Sequence, residues 1–174
     1  KDKLTLYTHD ANISPNSAKV QQMLGNEYLN MGIRDVANQA QHFVQAEKYL
    51  KKALGVAPTF HSALLDLGHM YSLKEDCKNA IVYLERFIAV SPPPPLVIFH
   101  YAICLDYVGR YQEALKYYER YVAADPYYPA GYSNLSYLLF RLGNYEQALA
   151  VSKKATEMIP NSPDPYINVG NVYL

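Results

Sequence analysis

Four prolines recur at a fixed interval along the chain. Pro58, Pro92, Pro126 and Pro160 stand 34 residues apart (92 − 58, 126 − 92 and 160 − 126). An alanine lies 12 residues before each proline: Ala46, Ala80, Ala114 and Ala148 (58 − 46 and so on). A fixed period of roughly 20 to 50 residues is typical of arrays of one repeated supersecondary unit. We therefore predict a repeat array that forms one continuous domain.

Each period contains the pattern of two short amphipathic helices joined by a glycine turn. The segment that runs from Gly109 to Ala114, Gly-Arg-Tyr-Gln-Glu-Ala, recurs one period later from Gly143 to Ala148 as Gly-Asn-Tyr-Glu-Gln-Ala. Glycine favours the left-handed conformation that ends a helix, and a small alanine lets two helices approach closely. The pattern predicts antiparallel helix pairs.

The residues of one period resemble the tetratricopeptide repeat. Its first helix holds Leu64, Leu67, Gly68 and Tyr71, and Ala80, Leu84 and Pro92 follow at the signature spacing. The weakest matches to the signature are Glu75, Cys77 and Ser152. The resemblance covers essentially the whole chain. It implies an all-α, right-handed superhelix of antiparallel helix pairs that binds peptides or proteins in a concave groove lined by the first helices.

The period divides the chain into repeats. Residues 1–17 are the predicted end of a preceding repeat helix, 18–60 the first repeat, 61–94 the second, 95–128 the third, 129–162 the fourth, and 163–174 the first helix of a truncated fifth. Both ends fall inside a repeat, so we expect the chain to be a piece of a longer protein.

The first repeat carries an insertion of nine residues, because Gly32 to Ala46 spans 14 residues where Gly109 to Ala114 spans five (14 − 5). The inserted residues, 33–41, lack Pro and Gly, and Asp35 is a suitable N-cap. We expect the second helix to be longer by about two turns. The extension is either inert or a contact surface present in one repeat only.

Composition disfavours several kinds of partner. Lys and Arg together number 16, as do Asp and Glu, so the chain lacks the positive charge that nucleic acid or anionic lipid requires. No run approaches the roughly 18 apolar residues of a membrane span, and we expect no direct membrane insertion. Cys77 and Cys104 lie on apolar helical faces, which predicts buried thiols rather than a disulfide.

The sequence gives no pattern typical of an enzyme. It lacks a Gly-rich phosphate loop, a nucleophile elbow and a Cys-x-x-Cys pair, so we predict neither catalysis nor a cofactor. Asp66, His69 and His100 are the one candidate cluster for a metal or acid–base site, but polar groups lining a groove are the expected interpretation. The run Pro92–Pro95 is expected to form the turn between repeats, with its last proline opening the next helix.

The resemblance assigns the groove to positions of the first helices that face away from the core. These are Gln22, Asn26, Asp66, His69, Phe99, His100, Asn134, Tyr137 and Asn168. Related co-chaperones hold acidic peptide C-termini with a Lys, Asn and Arg clamp, which is absent here, since Asp66 occupies one of its places. The Asn ladder of O-GlcNAc transferase arrays is matched only at Asn134 and Asn168.

Two functions follow from these patterns. The first is a protein-interaction scaffold that binds a peptide or protein segment in the groove. The alternative is the repeat tail of a membrane-bound glycosyltransferase, which recruits or presents its protein substrate. It depends on the segments 4–10 and 14–19, which resemble the junction before the repeat tail of O-mannosyltransferase-type membrane proteins. That alternative implies an extracytoplasmic location; otherwise the sequence indicates neither a compartment nor an oligomeric state.

Overall fold

The described part of the chain is entirely helical. A computed structural model describes residues 3–158, which form nine α-helices and one 3-10 turn without a strand. The helices fall into two compact units, one that ends at Pro92 and one that begins at Pro93. The predicted fold class, an all-α array of antiparallel helix pairs, is confirmed. The predicted fifth repeat and Asn168 lie outside the described residues.

Unit 1 contains five helices. They are α1 (Lys3–Ile13), α2 (Ala18–Arg34), α3 (Gln39–Val56), α4 (His61–Leu73) and α5 (Cys77–Val90). Helix α2 packs on α3, and α4 packs on α5, as two pairs. Helix α3 also contacts α4, and the first helices of the two pairs, α2 and α4, touch each other. Side chains from α2 and α4 therefore share one face of the unit.

Unit 2 repeats this arrangement with four helices. They are α6 (Pro95–Tyr107), α7 (Tyr111–Ala124), α8 (Pro129–Arg141) and α9 (Tyr145–Met158). Helix α6 packs on α7 and α8 on α9, while α7 contacts α8 and the two first helices, α6 and α8, touch. Pro95 is the first residue of α6, as predicted, where its missing N–H has no intrahelical partner to lose.

The repeat period is visible in burial. The four periodic alanines, Ala46, Ala80, Ala114 and Ala148, are all completely buried in the second helices. The prolines lie two residues beyond the ends of these helices: Val56 precedes Pro58, Val90 precedes Pro92 and Ala124 precedes Pro126. The alanine marks close helix contact, and the proline prevents the helix from continuing.

In unit 1, a glycine of each first helix lies against a leucine of the second. A Cβ added to Gly25 would lie 2.7 Å from Leu50 Cγ, and one added to Gly68 would lie 2.4 Å from Leu84 Cδ2. The same two positions hold Ala102 and Tyr118 one period later, then Ser136 and Ser152, and all four of these residues are buried. Because the packing is tight, the glycines allow a close approach that a larger residue would prevent.

The turns inside the repeats require a left-handed residue. Gly109 has a φ of 83° and Gly143 a φ of 79°, which confirms the predicted glycine caps. Glu75 occupies the corresponding position one period earlier and has a φ of 57°. A side chain with a Cβ is strained in this conformation, by about 1 to 2 kcal/mol.

Replacing Glu75 with glycine should therefore raise the stability of the chain by about 0.5 to 1 kcal/mol, after the greater entropy that glycine has in the unfolded state is subtracted. Urea denaturation followed by circular dichroism would measure this. Glu75→Ala is the matched control, because it removes the charge but keeps the Cβ. If both variants gained the same stability, the gain would come from removal of the Glu75 charge. That result would contradict an origin in the left-handed backbone conformation.

The insertion lengthens both helices of its pair instead of the second alone. Helix α2 has 17 residues against 13 in α4, and α3 has 18 against 14 in α5. A 3-10 turn, Val36–Asn38, separates them, and the Asp35 side chain accepts a hydrogen bond from the backbone N–H of Asn38. The prediction of a second helix longer by two turns is wrong, because α2 extends to Arg34 and α3 begins only at Gln39, after the 3-10 turn that Asp35 caps.

Two further expectations concern cysteines and membranes. Cys77 and Cys104 are both reduced and buried, in agreement with the sequence. Among the helices that the structure describes, none is at once long enough and apolar enough to cross a membrane.

Candidate functional site

The shared face of α2 and α4 in unit 1 carries a connected set of polar side chains. Gln22 Nε2 donates a hydrogen bond to Asp66 Oδ2 at 2.6 Å, and Asn26 Nδ2 donates to Asp66 Oδ1 at 3.0 Å. Asn30 Nδ2 in turn donates to Asn26 Oδ1 at 2.9 Å. Three of the predicted groove residues, Gln22, Asn26 and Asp66, thus lie in direct contact. We call these three side chains the amide–carboxylate cluster.

Burial dominates the electrostatics of this cluster. Burial raises the pKa of the Asp66 carboxyl above its ordinary value of 3.8, although the hydrogen bonds from Gln22 and Asn26 oppose the shift. His69 follows on the next turn of α4, and burial lowers the pKa of its imidazole below its ordinary value of 6.5. Burial thus disfavours the charged form of both side chains, which lie on adjacent turns of α4.

The raised pKa predicts how stability depends on pH. The folded chain holds the Asp66 proton more tightly than the unfolded chain does. The stabilisation that comes from protonated Asp66 is thus fully present below about pH 4. It is lost as the pH rises through the pKa of Asp66 in the folded chain. Asp66→Asn removes this titration. Between about pH 4 and about pH 7, the stability of wild type should fall relative to that of the variant.

Urea denaturation at several pH values would test this expectation. Glu119→Gln is the control, because it removes one exposed carboxylate from α7. A stability difference between wild type and Asp66→Asn that stayed constant with pH would contradict the assignment of burial as the main influence on Asp66.

Unit 2 has an open cleft on the corresponding helices. Its volume is about 420 Å³, and residues of α6, α7 and α8 line it: Ile103, Asp106, Tyr107, Tyr111, Tyr118, Asn134, Tyr137 and Arg141. Asn134 and Tyr137 are predicted groove residues, and the structure places both in this cleft. Tyr107 is 77% exposed and Tyr137 49% exposed. The cleft thus offers two accessible aromatic rings and a side-chain amide.

Arg141 organises the cleft of unit 2. Its Nη1 donates to Asp106 Oδ1 at 2.9 Å, and its Nη2 donates to the hydroxyl of Tyr111 at 3.1 Å. The guanidinium carbon also lies 5.0 Å from the centre of the Tyr111 ring and 5.6 Å from that of Tyr137. Such cation–π contacts and charged hydrogen bonds hold the guanidinium between two rings and a carboxylate.

The structure removes Phe99 from the set of accessible groove residues. Phe99 is only 6% exposed, and its ring centre lies 4.7 Å from that of Tyr121 and 5.7 Å from that of Tyr128. A ring enclosed in this way belongs to the core of unit 2, so its predicted role as an anchor for a ligand needs correction. His100, the next residue, is half-buried.

A second open cleft accompanies the insertion in unit 1. It has a volume of about 630 Å³ and is lined by Leu4, Tyr28, Met31, Asp35, Asn38, Gln41, His42 and Gln45. His42 Nε2 lies 3.4 Å from Asp35 Oδ2. The insertion thus contributes polar side chains to this cleft, and its role as a contact surface stays a prediction.

Metal binding finds no support in the described chain. Within residues 3–158, no three side chains of His, Cys, Asp or Glu come close enough together to hold an ion. Asp66 and His69 lie on one helix of unit 1, whereas His100 lies in unit 2.

Sequence reasoning missed three residues of the cleft in unit 2. Asp106, Tyr107 and Arg141 stand at the C-terminal ends of α6 and α8. The groove assignment stopped one turn earlier on α8, at Tyr137, and nearly two turns earlier on α6, at His100. The signal that would have found them is spacing: Tyr137 and Arg141 are four residues apart on α8 and share a face.

The comparisons with known proteins agree with this fold. Residues 108–168 match the family model of the tetratricopeptide repeat. The crystal structure of YrrB, described as a TPR protein with an unusual peptide-binding site, superposes with a TM-score of 0.80 at 19% identity, and the match covers 96% of this chain and 81% of YrrB. No curated protein matches the chain in sequence.

MamA gives similar results. One crystal structure has a TM-score of 0.73 at 21% identity, covering 86% of this chain and 80% of MamA. A second MamA structure has a TM-score of 0.78 at 20% identity, covering 95% and 86%. At these identities the similarity establishes the fold alone.

Proposed function

We propose that this chain, a tetratricopeptide-repeat array, is a protein-interaction module that binds an extended segment of another protein through side chains of its first helices. The observation that carries the proposal is the open cleft of unit 2. It combines the exposed rings of Tyr107 and Tyr137 with the amide of Asn134. Exposed aromatic residues beside hydrogen-bonding groups are typical of protein interfaces.

The chemistry of the cleft suits a peptide. The amide of Asn134 offers both a donor and an acceptor, which is what a peptide backbone requires. Tyr137 offers a large, rigid surface at a low cost in side-chain entropy. Arg141 is already held by Asp106 and Tyr111, so the cleft is ordered before a ligand arrives. Preorganisation of this kind raises affinity because less is lost on binding.

The amide–carboxylate cluster supplies a second subsite in unit 1. Its polar groups lie on first helices, as those of the cleft do. YrrB, which has the same fold, is described as having a peptide-binding site, and this supports the assignment of a peptide as the ligand class. The alternative of a glycosyltransferase tail rests on the resemblance of segments 4–10 and 14–19 and stays a prediction, which the sequence preceding Lys1 in the full-length protein would test.

Replacing Tyr137 with alanine should weaken binding by about 1 to 3 kcal/mol, because aromatic anchors dominate interface energies. Peptides that bind the wild-type chain would first be selected from a displayed random library. The affinity of the best synthetic peptide would then be measured by fluorescence anisotropy. Tyr137 is 49% exposed, so the variant should keep its helicity and melting temperature.

Tyr127→Ala is the matched control, because Tyr127 is 72% exposed and lies in a turn between repeats. Its affinity should stay within about twofold of wild type, in line with residues outside an interface hot spot. Equal losses for the two variants, or no loss for Tyr137→Ala, would rule out the cleft as the binding site.

A further inference from the structure

We propose that the face shared by α2 and α4 selects a ligand segment with a positively charged side chain, Lys or Arg, which forms an ion pair with Asp66. This inference rests on the proposed function and adds the chemistry of the ligand. It places a subsite for a cation on the first helices of unit 1.

The carboxylate of Asp66 has unused hydrogen-bonding capacity. A carboxylate offers about four acceptor positions, two on each oxygen. Gln22 occupies one position on Oδ2, and Asn26 occupies one on Oδ1. Among residues 3–158 no other donor bonds to Asp66, so one position on each oxygen remains within that range. This arrangement suits the two parallel donors of a guanidinium or the several donors of an ammonium group.

The negative charge of Asp66 has no positive counterpart among the described residues. None of their ion pairs includes Asp66. Two cations of unit 1 pair with other carboxylates, since Lys51 contacts Glu47 at 2.6 Å and Arg34 contacts Glu27 at 3.4 Å. Lys19, one turn before Gln22 on α2, is exposed, and none of the ion pairs among the described residues joins it to Asp66. A partly buried charge without a counter-ion is costly, and a ligand cation would remove that cost.

The amides around Asp66 hold it in place. Asn26 donates to Asp66 while its own oxygen accepts from Asn30, so its amide orientation is fixed by both neighbours. The rotamer of the carboxylate is thereby set before binding. The arrangement also disfavours an acidic ligand, because a second carboxylate at this position would meet the charge of Asp66 directly.

Selection and a double-mutant cycle would test the proposal. A displayed library of random peptides would be selected in parallel against wild type, Asp66→Asn and the control Glu119→Gln. We expect Lys or Arg to be enriched at one position with wild type and with Glu119→Gln, and not with Asp66→Asn. For the best synthetic peptide, Asp66→Asn should weaken binding about tenfold or more, a loss typical of a charged hydrogen bond.

Replacing the basic residue of that peptide with Gln should weaken binding to wild type equally. The same replacement should have little further effect on Asp66→Asn, because the two changes remove one interaction. A second test needs no variant of the chain. The affinity of wild type for the basic peptide should fall with added NaCl more steeply than its affinity for the Gln peptide.

The outcomes separate this inference from the proposed function. Selected peptides that depend on Tyr137 but show no basic preference, or a basic residue that is not coupled to Asp66, would overturn the cation subsite and leave the peptide-binding module in place. A library that yields no binding peptide at all would overturn both.

Discussion

Replacing Phe99 with alanine is expected to destabilise unit 2 by about 3 to 5 kcal/mol, the range for the loss of a buried aromatic side chain. Phe99 is 6% exposed and contacts the rings of Tyr118, Tyr121 and Tyr128. Its removal would leave a cavity between α6 and α7 and would also remove the favourable edge contacts between rings. Thermal and urea denaturation would measure the loss.

The control for this variant is Leu96→Ala, which truncates a 56% exposed side chain on the same helix. That change should cost little, since most of the Leu96 side chain stays in contact with water when the chain folds. If Phe99→Ala instead kept its stability and lost only peptide affinity, the ring would be a ligand anchor after all, and its assignment to the core would be wrong.

Replacing Ala114 with leucine is expected to cost about 3 kcal/mol, at the upper end of the range for overpacking. Ala114 is completely buried at the contact of α7 with α6, and it has no free volume for three more carbons. Because the stability of an array is close to a sum of nearest-neighbour terms, the damage should begin in the helices that touch α7. Hydrogen exchange resolved by segment would locate it.

Ala123→Leu on the same helix is the matched control, because Ala123 is exposed and leucine is also a good helix former. It should leave both the melting temperature and the exchange rates close to those of wild type. An unchanged melting temperature for Ala114→Leu would mean that the alanine period does not mark helix contacts.

The repeat architecture was predictable because its devices are local and periodic. The burial of Ala46, Ala80, Ala114 and Ala148 and the left-handed turn at Gly109 follow from residues within one unit. Every repeat needs helix breakers and small residues at the same positions, because its backbone makes the same turns and close contacts. A fixed spacing therefore reveals it.

The burial of Phe99 escaped prediction because it depends partly on a neighbour outside its own helix pair. Phe99 lies off the predicted core face of α6, but the ring of Tyr128, which precedes α8, covers it. A helical period predicts the face of a helix that packs on its partner. It does not predict a second face that becomes buried against the next repeat. Helix α6 is apolar on nearly all sides, and this pattern indicates a helix that is buried on two faces.

The insertion in the first repeat is a second feature that the sequence predicted only in part. Asp35 was predicted as an N-cap, and its side chain does accept a hydrogen bond from the backbone N–H of Asn38. Because residues 33–41 all have adequate helix propensity, the composition did not show that α2 continues to Arg34 or that a 3-10 turn precedes α3. By contrast, Gln22, Asn26 and Asp66, which the sequence assigned to first helices, are joined by hydrogen bonds, because the first helices of adjacent repeats lie side by side. Their role in a groove stays a prediction.

The packing of each first helix on its own second helix restricts how such a gene can change by recombination. Deletion of residues 93–126, one whole period, removes α6 and α7 together and leaves each remaining helix with its original partner. Deletion of residues 109–142 has the same length but joins α6 to α9, and it puts Ser152 at the position of the buried Tyr118. The lost volume would destabilise the product. Breakpoints in the proline turns therefore keep helix pairs together, whereas breakpoints in the glycine turns join halves of different pairs.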